Sequence, residues 1–243
     1  MSKTAGAVNS LIKFIIRQAV KVDEGELGKV PWKGPLILVA NHINFLEVPL
    51  MYSYLYPRPM TGWVKHENWK NPFLAFLFTL FNGIPIRRGE RDLNAVKAAI
   101  AALKEGKILA ISPEGTRSSV GKLARGKPGV VLLAQRSGAP ILPVAYYGGE
   151  LVWRKLARLR WTHFYIRVGH PFRVVVENGV LDRDVRQEIT DEIMYQVAAL
   201  LPPYYRGYYC DMSQAKETYL RFEEGVTSNL KCTVETDLLD MAK

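Results

Sequence analysis

The sequence predicts an α/β fold, a single domain with a mostly parallel sheet flanked by helices, and three observations carry that prediction. Short unbroken apolar runs such as Leu36–Ala40 (LILVA) and Ile141–Tyr146 (ILPVAY) alternate with helical patterns of about ten residues, as they do where strands are buried on both faces. The length, 243 residues, suits one domain of this class. An apolar fraction of 48% with 23% charged residues is that of a globular protein and excludes disordered and fibrous classes.

Taken in order, residues 7–20 (AVNSLIKFIIRQAV) form the first element. Leu11, Ile12, Ile15 and Ile16 recur at helical spacing, with Lys13, Arg17 and Lys21 offset from them. Such an amphipathic helix either associates with a membrane surface or packs on the domain's own core. With charges at Lys13 and Arg17 it is not a spanning segment, and the KVDEGE that follows offers no small-residue cleavage site. Strands are expected at Leu36–Ala40, Gly62–Val64, Gly83–Ile86, Ile108–Ser112, Ile141–Tyr146, Phe164–Val168 and Phe172–Val176. Helices are expected at Phe45–Tyr54, Trp69–Leu80, Asp92–Lys104 and Gly129–Ser137. Asp92 is a cap ahead of an alanine-rich run, and Gly106 and Gly138 fall where helices should stop. Pro72–Phe81 holds four phenylalanines in ten residues, too few to cross a bilayer and suited either to dipping into one or to burial. Asp182–Leu201 reads as one amphipathic helix ended by Pro202-Pro203. The organisation expected is an N-terminal amphipathic helical segment (1–30), an α/β domain (31–201) and a peripheral acidic tail (202–243).

The net charge of +10 hides an asymmetry. Residues 1–176 carry 26 basic and 10 acidic side chains, whereas residues 177–243 carry 7 and 13. Between Gly115 and Val176 eleven basic residues face a single acid, Glu150. That surface attracts phosphate, whether of nucleic acid, anionic lipid headgroups or a phosphorylated substrate. No nucleic-acid motif is present, and the basic residues flank apolar stretches, so no nucleic-acid partner is expected. Trp153, Arg154, Lys155, Arg158, Arg160 and Trp161 form a basic-aromatic cluster suited either to headgroup level or to a solvated helix face. Two cysteines, Cys210 and Cys232, cannot make a disulfide framework, a zinc site or an iron–sulfur cluster.

Four segments offer chemistry. Asn41-His42-Ile43-Asn44-Phe45-Leu46-Glu47 follows the strand LILVA, at the end of an α/β strand where ligands bind. His42 and Glu47 lie about 140° apart on a regular helix and meet only if His42 occupies the turn and Glu47 the first turn of the helix beyond. The helix dipole then disfavours an imidazolium, and Glu47 fixes the tautomer; a purely structural turn is the other reading. Ser112-Pro113-Glu114-Gly115-Thr116-Arg117-Ser118 follows a second strand, with a glycine for a tight anion-binding turn and an arginine fork that matches phosphate. Gly83-Ile84-Pro85-Ile86-Arg87-Arg88 sets two arginines at a strand end. Ile141-Leu142-Pro143-Val144 has a proline that indicates an edge strand or a bulge.

In order and spacing these segments resemble the four blocks of the glycerolipid acyltransferase family, which includes 1-acylglycerol-3-phosphate acyltransferases. The blocks are NHINFLE for the family's NH-x4-Asp, GIPIRR with Arg88 at the phosphate-binding position, PEGTRS intact at Pro113–Ser118, and ILPVAYYG around Pro143; the resemblance covers about residues 36–147. It implies transfer of a fatty acyl group from acyl-CoA or acyl-carrier protein to the hydroxyl of 1-acylglycerol 3-phosphate, giving phosphatidic acid for phospholipid synthesis. No metal or cofactor is implied. His42 would be the general base with Glu47 as its partner. Arg88, Glu114, Gly115, Thr116 and Arg117 would serve the acceptor phosphate, with Glu114 setting the loop and orienting an arginine. Asn41 and Pro143 would shape the site. The partners implied are a membrane lipid substrate, an anionic membrane surface and the acyl donor, on the cytoplasmic face of the cell membrane as a peripheral or monotopic protein.

One position departs from the pattern: Glu47 stands where the family has aspartate. The extra methylene moves the carboxylate by roughly 1.5 Å. Either the local backbone compensates, or the acceptor differs, or activity is low. The same blocks serve acylation of glycerol 3-phosphate, lyso-ornithine lipids and glycolipids, and a non-catalytic lipid binder is a further alternative. His66, His163 and His170 lack partner spacing and read as structural.

Overall fold

The structure, a computed structural model, describes residues 3–87, 92–118, 120–158, 160–176 and 181–231. In chain order the elements are α1 (Lys3–Ala19), β1 (Val20–Asp23), β2 (Leu36–Ala40), α2 (Glu47–Leu55), β3 (Met60–Lys65), α3 (Pro72–Leu80), β4 (Ile84–Ile86), α4 (Leu93–Lys104), β5 (Ile108–Ile111), α5 (Gly129–Ser137), β6 (Ile141–Tyr147), α6 (Val152–Leu156), β7 (Thr162–Val168), β8 (Phe172–Val174), α7 (Arg183–Ala199) and β9 (Leu220–Phe222).

Among the described residues the sheet runs β1-β7-β6-β2-β5-β3-β4, with β8 paired to β6 and β9 to β8. From β6 to β4 every pairing is parallel, so the ends of β6, β2, β5, β3 and β4 open on one edge. β7 runs antiparallel to β6, and β1 lies parallel to β7. Both faces are covered, and β2 shows it residue by residue. Ile37 and Val39 join a core with Ala99 and Leu103 of α4, Val131 and Leu133 of α5, and Ile189 and Ile193 of α7. Leu36, Leu38 and Ala40 join a second core with Ile16 of α1 and Leu50, Met51 and Leu55 of α2. All five β2 residues are buried, which is why the run is apolar without alternation.

Local chemistry sets the helix ends. Asp92 caps α4 by accepting from Ala95 N at 3.0 Å, and Asp182 caps α7 by accepting from Val185 N at 2.8 Å. The helix expected over Trp69–Leu80 is divided: a 3₁₀ turn covers His66–Lys70, and α3 starts at Pro72 with Asn71 Oδ1 accepting from Phe73 N and Leu74 N. Proline at the first helical position and asparagine before it make a new start there.

Two expectations are corrected, and one pair of alternatives is decided. Of the edge strand and the bulge expected for Pro143, the structure has the bulge, within a strand that lies between β2 and β7. The register explains how it is tolerated. Val144 faces Val168 but Ile141 faces Phe172, so the antiparallel neighbour carries one extra residue opposite Pro143, and the Pro143 carbonyl takes Gly169 N at 2.9 Å. The missing amide donor falls at that bulge. Residues 1–30 are more than an appended helix, since Val20–Asp23 is a sheet strand with Val20 buried. Residues 202–231 are not peripheral: β9 extends the sheet through β8, and Tyr205, Tyr209 and Leu220 lie in the core. Residues 232–243, with Cys232, lie outside the described residues.

Candidate functional site

The open edge of the parallel strands carries the candidate side chains. Asn41 and His42 leave β2 and cross a short turn to α2. The Asn41 side chain is buried and closes two bonds with β6, donating from Nδ2 to Tyr146 O and accepting from Tyr146 N, each at 2.7 Å. It ties the ends of two neighbouring strands where the turn begins. Asn44 continues the scaffold, with Oδ1 accepting from Leu46 N at 2.7 Å and Nδ2 donating to Gly149 O at 2.8 Å.

Glu47 is the first residue of α2 and points back into that turn. One oxygen, Oε2, lies 2.7 Å from His42 Nδ1. The other, Oε1, accepts from Ile43 N at 2.5 Å and Asn44 N at 2.6 Å. The carboxylate side chain is 5% exposed, against 21% for His42. Every Glu47 contact is therefore fixed by backbone or by the imidazole, and the turn closes around the longer side chain. With Nδ1 facing a carboxylate it is the donor, which leaves Nε2 as the ring's acceptor.

The second loop follows β5, next to β2. Glu114 is buried, and its two oxygens accept from His42 N at 2.9 Å and Ala124 N at 2.8 Å. Burial raises the Glu114 carboxyl above the usual carboxylate range, and the two amides oppose that shift. A buried anion held by amides does not take a phosphate. Through these two bonds Glu114 joins the His42 turn to the loop beyond. Ser118 N donates to His42 O at 2.8 Å and closes the connection. Gly115 has φ of 71°, which a side chain rarely adopts, and a Cβ there would meet Lys127 Nζ at 3.0 Å. Thr116 and Arg117 are exposed on this loop.

Other expected residues sit elsewhere. Pro143 lies inside β6, where it faces Val39 in register and its ring packs toward Gly169. Arg88 lies outside the described residues, while Arg87 is exposed at the end of β4. A cavity of about 700 Å3 opens beside it, lined in part by His66, Arg87, Asp92 and Lys97. His66, directly after β3, lies on the wall of this cavity. His170 is structural, with Nδ1 at 2.7 Å from Thr227 O. Lys127 was missed, because only the folded loop returns its ammonium to Gly115. Among the described residues no three His, Cys, Asp or Glu side chains converge in a way that would hold a metal ion, and no helix is long and apolar enough to cross a membrane.

Fold and site together define an α/β protein with a histidine–carboxylate pair tied to a loop that carries Gly115 and the exposed Arg117. The chain belongs to the Acyltransferase family, whose sequence profile matches residues 20–147, from β1 to the end of β6. It is similar to the 1-acyl-sn-glycerol-3-phosphate acyltransferases of Borreliella burgdorferi (32% identity; 49% of this chain, 48% of that one) and Limnanthes douglasii (31%; 61% and 52%). A third, from Bacillus subtilis, is 29% identical over 55% of this chain and 65% of its own. The chain thus spans about half to two thirds of the length of these curated relatives. The crystal structure of the 1-acyl-sn-glycerophosphate acyltransferase PlsC from Thermotoga maritima shares the fold, with a TM-score of 0.57 and 24% identity, covering 78% of this chain and 76% of that one.

Proposed function

We propose that this protein transfers a fatty acyl group from acyl-CoA or acyl-carrier protein to the free hydroxyl of 1-acylglycerol 3-phosphate, forming phosphatidic acid. The observation that carries the proposal is the His42 Nδ1–Glu47 Oε2 contact at 2.7 Å, with Glu47 itself locked by two amides. Nε2 then accepts the hydroxyl proton as the oxygen attacks the thioester carbonyl. The tetrahedral intermediate collapses with cleavage of the C–S bond, and the His42 imidazolium returns the proton to the departing thiolate. Neither a covalent acyl-enzyme nor a metal enters this sequence. Arg117, with Arg88, supplies charge for the acceptor phosphate, and the Gly115–Thr116 backbone supplies the turn.

The acceptor is a lipid, and the surface around the site suits one. Phe45 and Val48, flanking the dyad, are exposed, as are Leu11, Phe14 and Ile15 of α1 and Phe73 and Phe76 of α3. An apolar rim of this kind with a basic surface fits peripheral or monotopic attachment to the anionic, cytoplasmic face of a membrane.

The test is thioester consumption by the purified protein with palmitoyl-CoA and 1-acylglycerol 3-phosphate in mixed micelles, beside His42→Ala. Phosphatidic acid from wild type and a loss of about 10²–10⁴-fold in the variant are expected. Equal turnover by the two proteins would remove His42 from the mechanism. A wild type that acylates glycerol 3-phosphate, a lyso-ornithine lipid or a glycolipid instead would replace the acceptor.

A further inference from the structure

The segment that follows α7, Pro202-Pro203-Tyr204-Tyr205-Arg206-Gly207-Tyr208-Tyr209, crosses the loop 121–127 that continues from the Glu114–Arg117 turn. The crossing is ladder-like: Leu123 N donates to Tyr205 O at 3.0 Å, and Tyr208 N donates to Leu123 O at 2.9 Å. Gly207 makes this approach possible. Its φ is 49°, and a Cβ there would overlap the Leu123 backbone. Each tyrosine pair splits its work. Tyr205 and Tyr209 point inward and are fully buried, while Tyr204 and Tyr208 lie on the surface beneath the loop's own cations, Lys122 Nζ at 4.5 Å and Arg125 Cζ at 5.7 Å from the ring centres.

The inner hydroxyls are committed. Tyr205 donates to Glu150 Oε1 at 2.6 Å, just past the end of β6. Tyr209 donates to Asp191 of α7 at 2.7 Å and accepts from Gly126 N at 2.9 Å. Gln187 of α7 holds the Gly126 carbonyl at 3.1 Å. Arg206 fastens the segment to α7 by donating to Ala198 O and Leu201 O. Leu123 and Gly126 are thus gripped from the C-terminal side, and between them Ala124 N is gripped from the other side by Glu114, whose second oxygen holds His42 N. Lys127, whose Nζ would sit 3.0 Å from a Cβ on Gly115, comes directly after the gripped stretch.

We infer that residues 202–209 are a positioning strap, in which Tyr205, Gly207 and Tyr209 hold the loop 121–127 so that Glu114, Gly115 and Lys127 keep the geometry on which affinity for the phosphorylated acceptor depends. The inference rests on the acyl-transfer reading for its kinetic readout, and on none for its structural one. A shift of about 1 Å in such a constellation costs up to about 100-fold, and the strap supplies three of the hydrogen bonds that oppose it.

The experiment uses the full chain with Tyr209→Phe, in which Gln187 still holds Gly126, and Gly207→Ala, which pushes the strap off Leu123. Tyr205→Phe is avoided because it would leave Glu150 with no hydrogen bond. Two readouts are taken: steady-state kinetics with both substrates varied, and amide hydrogen exchange without substrate. For Tyr209→Phe the KM for 1-acylglycerol 3-phosphate should rise about tenfold, with kcat and the KM for palmitoyl-CoA within about twofold. Exchange at Ser118, Ala124 and Gly126 should quicken about tenfold while amides of α4 keep their rate; Gly207→Ala should move both readouts further in the same direction. Faster exchange with an unchanged acceptor KM would make the strap merely structural and overturn the inference, as would uniform acceleration that includes α4. If wild type acylates no acceptor, the acyl-transfer reading fails by itself, and unchanged exchange at Ser118 and Ala124 in both variants would then sink the strap independently.

Discussion

One methylene separates glutamate from aspartate, and here that methylene lets Glu47, from the first turn of α2, reach two amides and a histidine at once. Oε1 holds Ile43 N and Asn44 N while Oε2 holds His42. A carboxylate with both oxygens committed in this way cannot swing, so the imidazole it orients is fixed through the backbone. Shortening the side chain by roughly 1.5 Å breaks one set of contacts or the other. Glu47→Asp should therefore lower kcat by about 100-fold, with the KM values for both substrates within about twofold. Glu47→Gln should cost more, because its amide nitrogen presents a donor to Nδ1 and imposes the wrong tautomer, a change worth about 10⁴-fold in the serine-protease triad. Full activity in the aspartate variant, measured by thioester consumption, would mean that the Ile43 and Asn44 contacts have no part in orienting His42.

Asn41 plays at the level of elements the part that Glu47 plays at the dyad. It lies at the end of β2 and satisfies both the N–H and the carbonyl of Tyr146 in β6, in a spot water does not reach. Asn41→Ala leaves two buried backbone groups without partners, each costing about 1–3 kcal/mol, so a loss of roughly 2–5 kcal/mol is expected in chemical denaturation. A loss below about 1 kcal/mol would show that water or a shifted loop replaces the side chain. The sequence displayed this architecture unevenly. Leu36–Ala40 and Gly129–Ser137 were legible to the residue, because a strand buried on both faces is apolar throughout and a helix of small and branched residues ends at a left-handed glycine, Gly138, with φ of 64°. The four-residue β1 and three-residue β9 were not. VKVD and LRF are too short and too charged to display a period, and only pairing to β7 and β8 makes strands of them. The site divided along the same line. His42 and Glu47 stand five residues apart, and the turn that joins them could be read from chain order. Glu114 could be read from its motif as setting the loop, but one of its two anchors, Ala124, stands ten residues on, which no local pattern reports.

On the scale of the molecule, the sequence left α1 open between packing on its own domain and lying on a membrane, and the structure gives it two faces. Ile16 is buried in the α1–α2 core, Asn9 donates to Ser53 O at 3.1 Å, and Lys13 stands 4.0 Å over the Tyr54 ring, so one face belongs to the fold. The other exposes Leu11 by 57%, Phe14 by 61% and Ile15 by 56%, and among the described residues no element covers it. α2, against which α1 packs, also meets the end of α3, where Tyr52 and Phe81 lie 4.8 Å apart, and α3 exposes Phe73 and Phe76. Because the three α1 side chains already lie in solvent, replacing them leaves the core intact. Each contributes on the order of 1 kcal/mol when its exposed part enters a lipid interface, so Leu11→Ser, Phe14→Ser and Ile15→Ser together should weaken vesicle binding by about 100-fold with an unchanged melting curve. Salt separates this contribution from that of the basic surface. Attraction to anionic lipid is screened at high ionic strength and insertion of apolar side chains is not. Wild type should therefore keep part of its binding to anionic vesicles in high salt, whereas the triple variant should lose nearly all of what remains. Sedimentation with vesicles decides it: undiminished binding of the triple variant in high salt would move the membrane contact away from α1, and Phe73 and Phe76 of α3 would be the next residues to change.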